Sequence, residues 1–122
     1  MSVDAYAERL ARVRQRFVSA LESKIGDSYA AIPELSGETA AATEAVGETY
    51  RRMHGIVGIG PTVGFAMTGR AARTVENVLL LPHQTERGLT TEEMASFKKA
   101  LHALRETAAS ELQSYYSNWR GP

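Results

Sequence analysis

The sequence contains no cysteine, no long apolar run and no excess of charge of either sign. Without cysteine, neither disulfide bridges nor thiolate chemistry can contribute to this protein. No apolar stretch reaches the roughly 18 residues that a membrane-spanning helix needs, so no membrane contact is expected. Fourteen basic and fourteen acidic residues cancel, which argues against a nucleic-acid partner. The N-terminus lacks the basic and apolar segments of a secretory signal. These absences predict a cytoplasmic protein.

Sequence motifs of several enzyme classes are missing as well. The glycines from Gly55 to Gly60 are spaced loosely like a nucleotide-binding loop, but no strand is predicted before them. The three histidines, at positions 54, 83 and 102, are not spaced to bind zinc together with a second histidine or cysteine. No serine lies in a nucleophile elbow. We therefore expect no metal site, no bound cofactor and no ATP-dependent active site in this chain.

What the chain does contain is helical periodicity, in a length of 122 residues that suits one domain with one core. Apolar residues recur at steps of three and four, and Thr90 with Glu93 has the spacing of a capping box. Modest connections between such helices indicate an all-α, up-and-down antiparallel four-helix bundle. The helices are predicted to run through residue 35 with a kink or restart at Gly26, from near Glu38 to residues 58–60, from Pro61 to just before Pro82, and from Thr90 onward.

Each predicted helix has an apolar stripe that should face the core. The stripe of the second helix consists of Ala42, Val46, Tyr50, Met53 and Val57. That of the third consists of Met67, Ala71, Val75 and Val78. That of the fourth runs through Met94, Phe97, Leu101, Leu104, Ala108, Leu112, Tyr115 and Trp119.

His54 lies to one side of the stripe of the second helix, at the boundary of core and solvent and on the same flank as Arg51. Neighbours can hold an imidazole there while one ring nitrogen faces water. Imidazole also retains a neutral, nucleophilic nitrogen near pH 7. A histidine at a helix edge is most often only solvated or part of the core edge, so spacing alone does not assign it a function.

Three glycines, Gly47, Gly55 and Gly58, surround His54 in the predicted helix. Each costs about 1 kcal/mol relative to alanine inside a helix, which is a noticeable share of a total stability of roughly 5–15 kcal/mol. One interpretation is that they clear space beside His54 for another macromolecule. The other is that the glycine-rich stretch is a tight connection between helices.

The run from Met53 to Phe65 resembles the signature of histidine-containing phosphotransfer domains. That signature has a histidine, an apolar residue two positions later, frequently a lysine three later, a glycine four later, and a small-residue turn that ends in Gly-Phe or Gly-Leu. The matching residues here are His54, Ile56, Gly58, Gly60, Gly64 and Phe65. Segment 71–76, Ala-Ala-Arg-Thr-Val-Glu, is similar to the third-helix segment of that family. The similarity covers residues 17–117 and implies a bundle domain at 17–120 after an N-terminal helical extension at 1–16.

The resemblance implies a phosphoryl carrier in a two-component phosphorelay, without an enzyme's own ATP site. His54 is then the phosphoacceptor. It exchanges the phosphoryl group with aspartates of response-regulator receiver domains or of a hybrid histidine kinase, and that partner supplies Mg²⁺. The protein itself is expected to be a monomer. The supporting residues are Arg51 as a charge, Gly55 and Gly58 as clearance, and Ile56 and Ile59 as the docking surface.

Val57 departs from the family pattern, because lysine is frequent there and lies near the phosphoryl group. The departure implies weaker stabilisation of phosphohistidine or an altered choice of partner. It favours a rival hypothesis, a non-phosphorylated helical adaptor that binds a receiver or another signalling protein. A second rival is a bundle that dimerises through its exposed faces.

Overall fold

Four long helices account for most of the chain. The computed structural model describes residues 3–118, and its α-helices are α1 (Val3–Ala30), α2 (Ala40–Ile59), α3 (Ala66–Gln84) and α4 (Thr91–Ser117). Short 3₁₀ helices, Ile32–Glu34 and Gly60–Val63, lie in the first two connections. Each helix packs against the next and α4 returns to α1, which confirms the predicted four-helix bundle. Within the described residues, no helix is both long and apolar enough to cross a bilayer.

The core lies where the inner faces of the four helices meet. The predicted stripe of α4 is confirmed from Phe97 to Leu112, while Trp119 lies outside the described residues. Phe65 immediately precedes α3. The centroid of its ring lies 5.2 Å from that of Phe17 and 6.1 Å from that of Tyr115. The largest fully buried side chains are Leu21, Leu35, Val46, Met53, Ile56, Val63, Phe65, Val75, Leu79, Phe97, Leu101 and Leu104.

The buried face of α3 differs from the predicted stripe. Met67 was expected to face the core but is 51% exposed, whereas Thr68, Gly69 and Glu76 are buried. The reason is that α3 packs against both α2 and α4, and small or polar residues take part in both contacts: Glu76 meets His54 of α2 and Thr68 bonds to Glu111 of α4. A stripe drawn through apolar residues alone misses these residues.

Prolines and glycines set the helix ends differently from the prediction. Gly26 does not interrupt α1, because packing of the residues around it outweighs a weak local preference. The helix ends at Ala30, shortly before Pro33, whose ring and missing N–H disfavour a further α-helical turn. Pro82 lies inside α3, contrary to prediction, and the N–H of Thr85 still donates to the carbonyl of Leu81 at 2.9 Å.

Polar caps hold the helix starts. The predicted capping box of α4 is confirmed, since Thr90 Oγ1 accepts from the Glu93 N–H at 3.1 Å and Glu93 accepts from the Thr90 N–H at 2.9 Å. Hydrogen bonds from Arg87, together with the backbone of Thr90, lower the pKa of Glu93 to about 2. At the start of α3, Glu111 of α4 accepts from both the N–H and the hydroxyl of Thr68 at 2.6 Å.

The first and third connections are joined to each other at one end of the bundle. The N–H of Leu89 donates to the carbonyl of Leu35 at 2.7 Å, and that of Gly88 donates to the carbonyl of Gly37 at 3.2 Å. Gly88 approaches this backbone so closely that a Cβ on it would lie 2.8 Å from the Leu35 carbonyl oxygen and closer still to that of Gly37. Only glycine fits at that point.

The opposite end of the bundle contains the connection between α2 and α3. Arg14 Nε donates to the carbonyl of Val63 there at 2.9 Å, so the first turns of α1 extend beyond the connection. Tyr6 in this segment is 63% exposed. Because α1 is continuous through residues 16 and 17, the division into an extension (1–16) and a bundle (17–120) stays a prediction.

Candidate functional site

His54 and Glu76 form a close pair across α2 and α3. Nδ1 of His54 lies 2.5 Å from Oε2 of Glu76. The His54 side chain is 71% exposed, whereas that of Glu76 is only 10% exposed. A buried carboxylate therefore holds one edge of an imidazole that otherwise faces solvent.

This pair determines which ring nitrogen of His54 is free to react. An ionised carboxylate only accepts hydrogen bonds, so Nδ1 of His54 is the donor. In the neutral imidazole the lone pair is then on Nε2, which has no hydrogen-bond partner among residues 3–118. Glu76 thus fixes both the orientation and the tautomer of the ring, as carboxylates do for histidines that act as nucleophiles or metal ligands.

Aromatic stacking supports His54 from the side of the preceding helical turn. The Tyr50 ring lies nearly parallel to His54, at 12° and 6.0 Å between centroids. His83 stacks on Tyr50 at 18° and 4.6 Å. The third helix was predicted to end before Pro82, but His83 lies in the last turn of α3. The three rings form a column along α2 and α3.

The glycines of the motif fall into two groups, which differ in whether the structure explains why glycine is present. Gly64 has φ +92°, a left-handed backbone that disfavours other residues, and a Cβ on Gly60 would meet the Phe65 carbonyl oxygen at 3.0 Å. The turn favours glycine at position 64 through its backbone conformation and leaves little room for a side chain at position 60. Gly58 is exposed and a Cβ there would meet nothing within 4 Å. No contact with another part of residues 3–118 therefore accounts for glycine at position 58.

The predicted docking residues separate in the structure. Ile56 is fully buried in the core, so its assignment to a docking surface is wrong: the buried face of α2 extends beyond the predicted stripe and includes Ile56. Ile59 is 43% exposed and remains accessible to a partner. Val57 is half-buried and packs against the core, and its side chain carries no charge.

Two cations lie near the glycines rather than directly on His54. The guanidinium of Arg51 lies over Gly47, 3.3 Å from the point where a Cβ would be. The guanidinium therefore lies one helical turn before Arg51 on α2 and points away from His54. The ammonium of Lys24, on α1, lies 3.7 Å from the corresponding point on Gly55. Sequence reasoning missed Lys24 and Glu76, because both reach the site from other helices.

Within residues 3–118, no three histidine, cysteine, aspartate or glutamate side chains are grouped to hold a metal ion. Comparisons of the chain with protein-family models, with curated proteins and with solved structures find no match. The histidine, its carboxylate partner and the open surface around them are therefore the features on which a function can rest.

Proposed function

We propose that this chain is a histidine phosphotransfer protein of a two-component phosphorelay. It accepts a phosphoryl group at His54 from a receiver-domain aspartate or a hybrid histidine kinase and donates it to another receiver. The observation that carries the proposal is the pairing of a 71% exposed imidazole with a buried carboxylate at 2.5 Å. This arrangement leaves a nucleophilic Nε2 where a folded partner can reach it.

The transfer balances without a proton leaving the site. The Nε2 lone pair attacks the phosphorus of an aspartyl phosphate and forms a P–N bond. The P–O bond to the aspartate breaks, and its electron pair returns to the aspartate carboxylate. The ring then carries substituents on both nitrogens and one positive charge, which the carboxylate of Glu76 neutralises through the Nδ1–H. Donation to a second aspartate is the reverse of this step.

The carrier needs no cofactor of its own, because the Mg²⁺ that neutralises the phosphoryl oxygens is bound by the partner. Gly58, one turn after His54, is exposed and leaves room for a partner to approach the ring. The basic side chain of Arg51 is also exposed on α2, where it could meet the acidic surface around a Mg²⁺-binding site. We propose a cytoplasmic location and a monomeric state as part of this function.

Transfer assays with a panel of purified receiver domains, charged with radiolabelled acetyl phosphate, test the proposal. Wild type should acquire acid-labile label, and His54→Gln should acquire none. His102→Gln is the matched control, because His102 is exposed on α4 and should leave labelling unchanged. If no receiver labels the wild type but one binds both wild type and His54→Gln, the chain is the helical adaptor instead.

Gly58→Ala should raise stability and impair transfer at the same time. Alanine is favoured over glycine in a helix by up to about 1 kcal/mol, and position 58 has room for it. A methyl group facing an incoming receiver should lower the transfer rate about 10-fold, the equivalent of about 1.4 kcal/mol of docking energy. Urea denaturation and the transfer assay measure the two effects.

Gly26→Ala is the matched control for this variant. Gly26 is also exposed inside a helix with nothing within 4 Å of its Cβ position, but it lies on α1 away from His54. It should gain similar stability and keep the wild-type transfer rate. Equal transfer by Gly58→Ala and wild type would mean that no partner approaches the chain at position 58.

A further inference from the structure

The ammonium of Lys24 lies on the surface beside His54 although it comes from another helix. Nζ is 3.7 Å from the point that a Cβ on Gly55 would occupy, and Gly55 directly follows His54. Gly55 has no side chain, so the space between the ammonium and the neighbouring residue of α2 is not filled. Lys24 is half-buried, and its ammonium reaches across from α1 to Gly55 of α2.

This ammonium has no anionic partner within residues 3–118, since no ion pair or hydrogen bond of Nζ is found there. Glu48 is the acidic residue of α2 that is closest in sequence to Gly55, but it lies 3.8 Å from Arg52 and pairs with that residue instead. A half-buried lysine commonly packs its stem against the protein and keeps its ammonium in water, where an ion can reach it. An anion from outside the chain would supply the missing partner.

We propose that Lys24 binds the phosphoryl group that His54 carries, an inference that rests on the proposed function. A phosphoryl group adds a charge of about −1.5 to −2 near neutral pH together with strong acceptor oxygens. Lysine has three donors on a flexible stem, so its ammonium can cross the open surface of Gly55 toward the phosphorylated ring. Lys24 of α1 then provides the positive charge that Val57 of α2 lacks.

Arg51 is less suited to this role, although it is closer to His54 in sequence. Its guanidinium lies over Gly47, and the same point on Gly47 is 3.6 Å from Nδ1 of His83. Arg51 is therefore directed toward the far end of the ring column. Lys24 is directed toward Gly55, the immediate neighbour of the phosphoacceptor.

Lys24→Met tests the proposal because it keeps the length of the stem and removes the charge. Wild type and variant are phosphorylated with potassium phosphoramidate, and the ³¹P resonance of the phosphohistidine is followed through a pH titration. A nearby cation favours the dianionic phosphoryl group, so the midpoint should rise by about 0.5 pH unit in Lys24→Met. The rate of phosphorylation should fall about 10-fold, the equivalent of about 1.4 kcal/mol.

Lys99→Met is the matched control, since Lys99 is exposed on α4, and Lys24→Arg should restore most of the rate and midpoint by restoring the charge. A wild type that reacts at His54, with Lys24→Met identical in midpoint and rate, overturns the role of Lys24 and leaves the phosphotransfer function intact. A wild type that is not phosphorylated at His54 overturns both. Circular dichroism confirms that each variant is folded.

Discussion

Glu76→Gln is expected to slow phosphorylation of His54 about 100-fold, while His54→Gln abolishes it. Glutamine keeps the shape of the buried side chain but removes the charge that balances the phosphorylated ring. Its amide N–H can also turn to donate a hydrogen bond to Nδ1. The neutral ring would then carry its own proton on Nε2, the nitrogen that must attack. The effect is large because both orientation and tautomer depend on a single 2.5 Å contact.

Two measurements together test this expectation. The rate with potassium phosphoramidate gives the reactivity of His54 without a partner protein. The ¹⁵N chemical shifts of the imidazole report the tautomer, and they should change from Nδ1–H in wild type toward Nε2–H in the variant. Glu111→Gln is a matched control, because Glu111 also accepts hydrogen bonds at 2.6 Å but at the start of α3. It should lower stability without changing the rate or the tautomer. An unchanged rate in Glu76→Gln would reduce Glu76 to a packing role.

Gly88→Ala is expected to destabilise the bundle by about 3 kcal/mol. The new Cβ would collide with the carbonyl oxygens of Gly37 and Leu35 and would lie 3.0 Å from the Gly37 nitrogen. All three atoms belong to backbone, which cannot move aside as a flexible side chain can. Relief requires the two connections to separate, and that breaks the hydrogen bonds donated by Gly88 and Leu89.

Urea denaturation with circular dichroism measures this loss, and Gly26→Ala is the matched control. The same substitution at position 26 meets open space in a helix, so it should stabilise the protein by up to about 1 kcal/mol. The same change from glycine to alanine should therefore lower the stability at position 88 and raise it at position 26. A loss at position 88 of only a few tenths of a kcal/mol would show that the connections are not held together in solution.

Much of the fold follows from local sequence. The Thr90–Glu93 capping box and the apolar stripe from Phe97 to Leu112 predict α4 correctly, because both depend on residues within one helix. The effect of the prolines on the helix ends is harder to predict. Pro33 follows the end of α1, whereas Pro82 is accommodated in the last turn of α3. Which outcome occurs depends on packing against other helices, and local sequence does not contain that information.

The site could be predicted only in part, for a related reason. His54 was identified from its flank of α2 and from its surrounding glycines. Glu76 was not, because an apolar stripe omits a buried carboxylate and its partner is 22 positions away. Lys24 comes from a third helix. The signal that was available is Glu76 itself, an acidic residue between the buried Val75 and Leu79, where a lone charge requires a partner.

The hydrogen bonds between the first and third connections also bear on the order of folding. Most contacts in the bundle join consecutive helices, and contacts close in sequence form with little loss of chain entropy. The bonds from Leu89 to Leu35 and from Gly88 to Gly37 close a loop that contains all of α2 and α3. We expect the hairpins α2–α3 and α3–α4 to assemble first. Closure of this loop then fixes α1 and its Lys24 against α2, so the surface beside His54 is completed last.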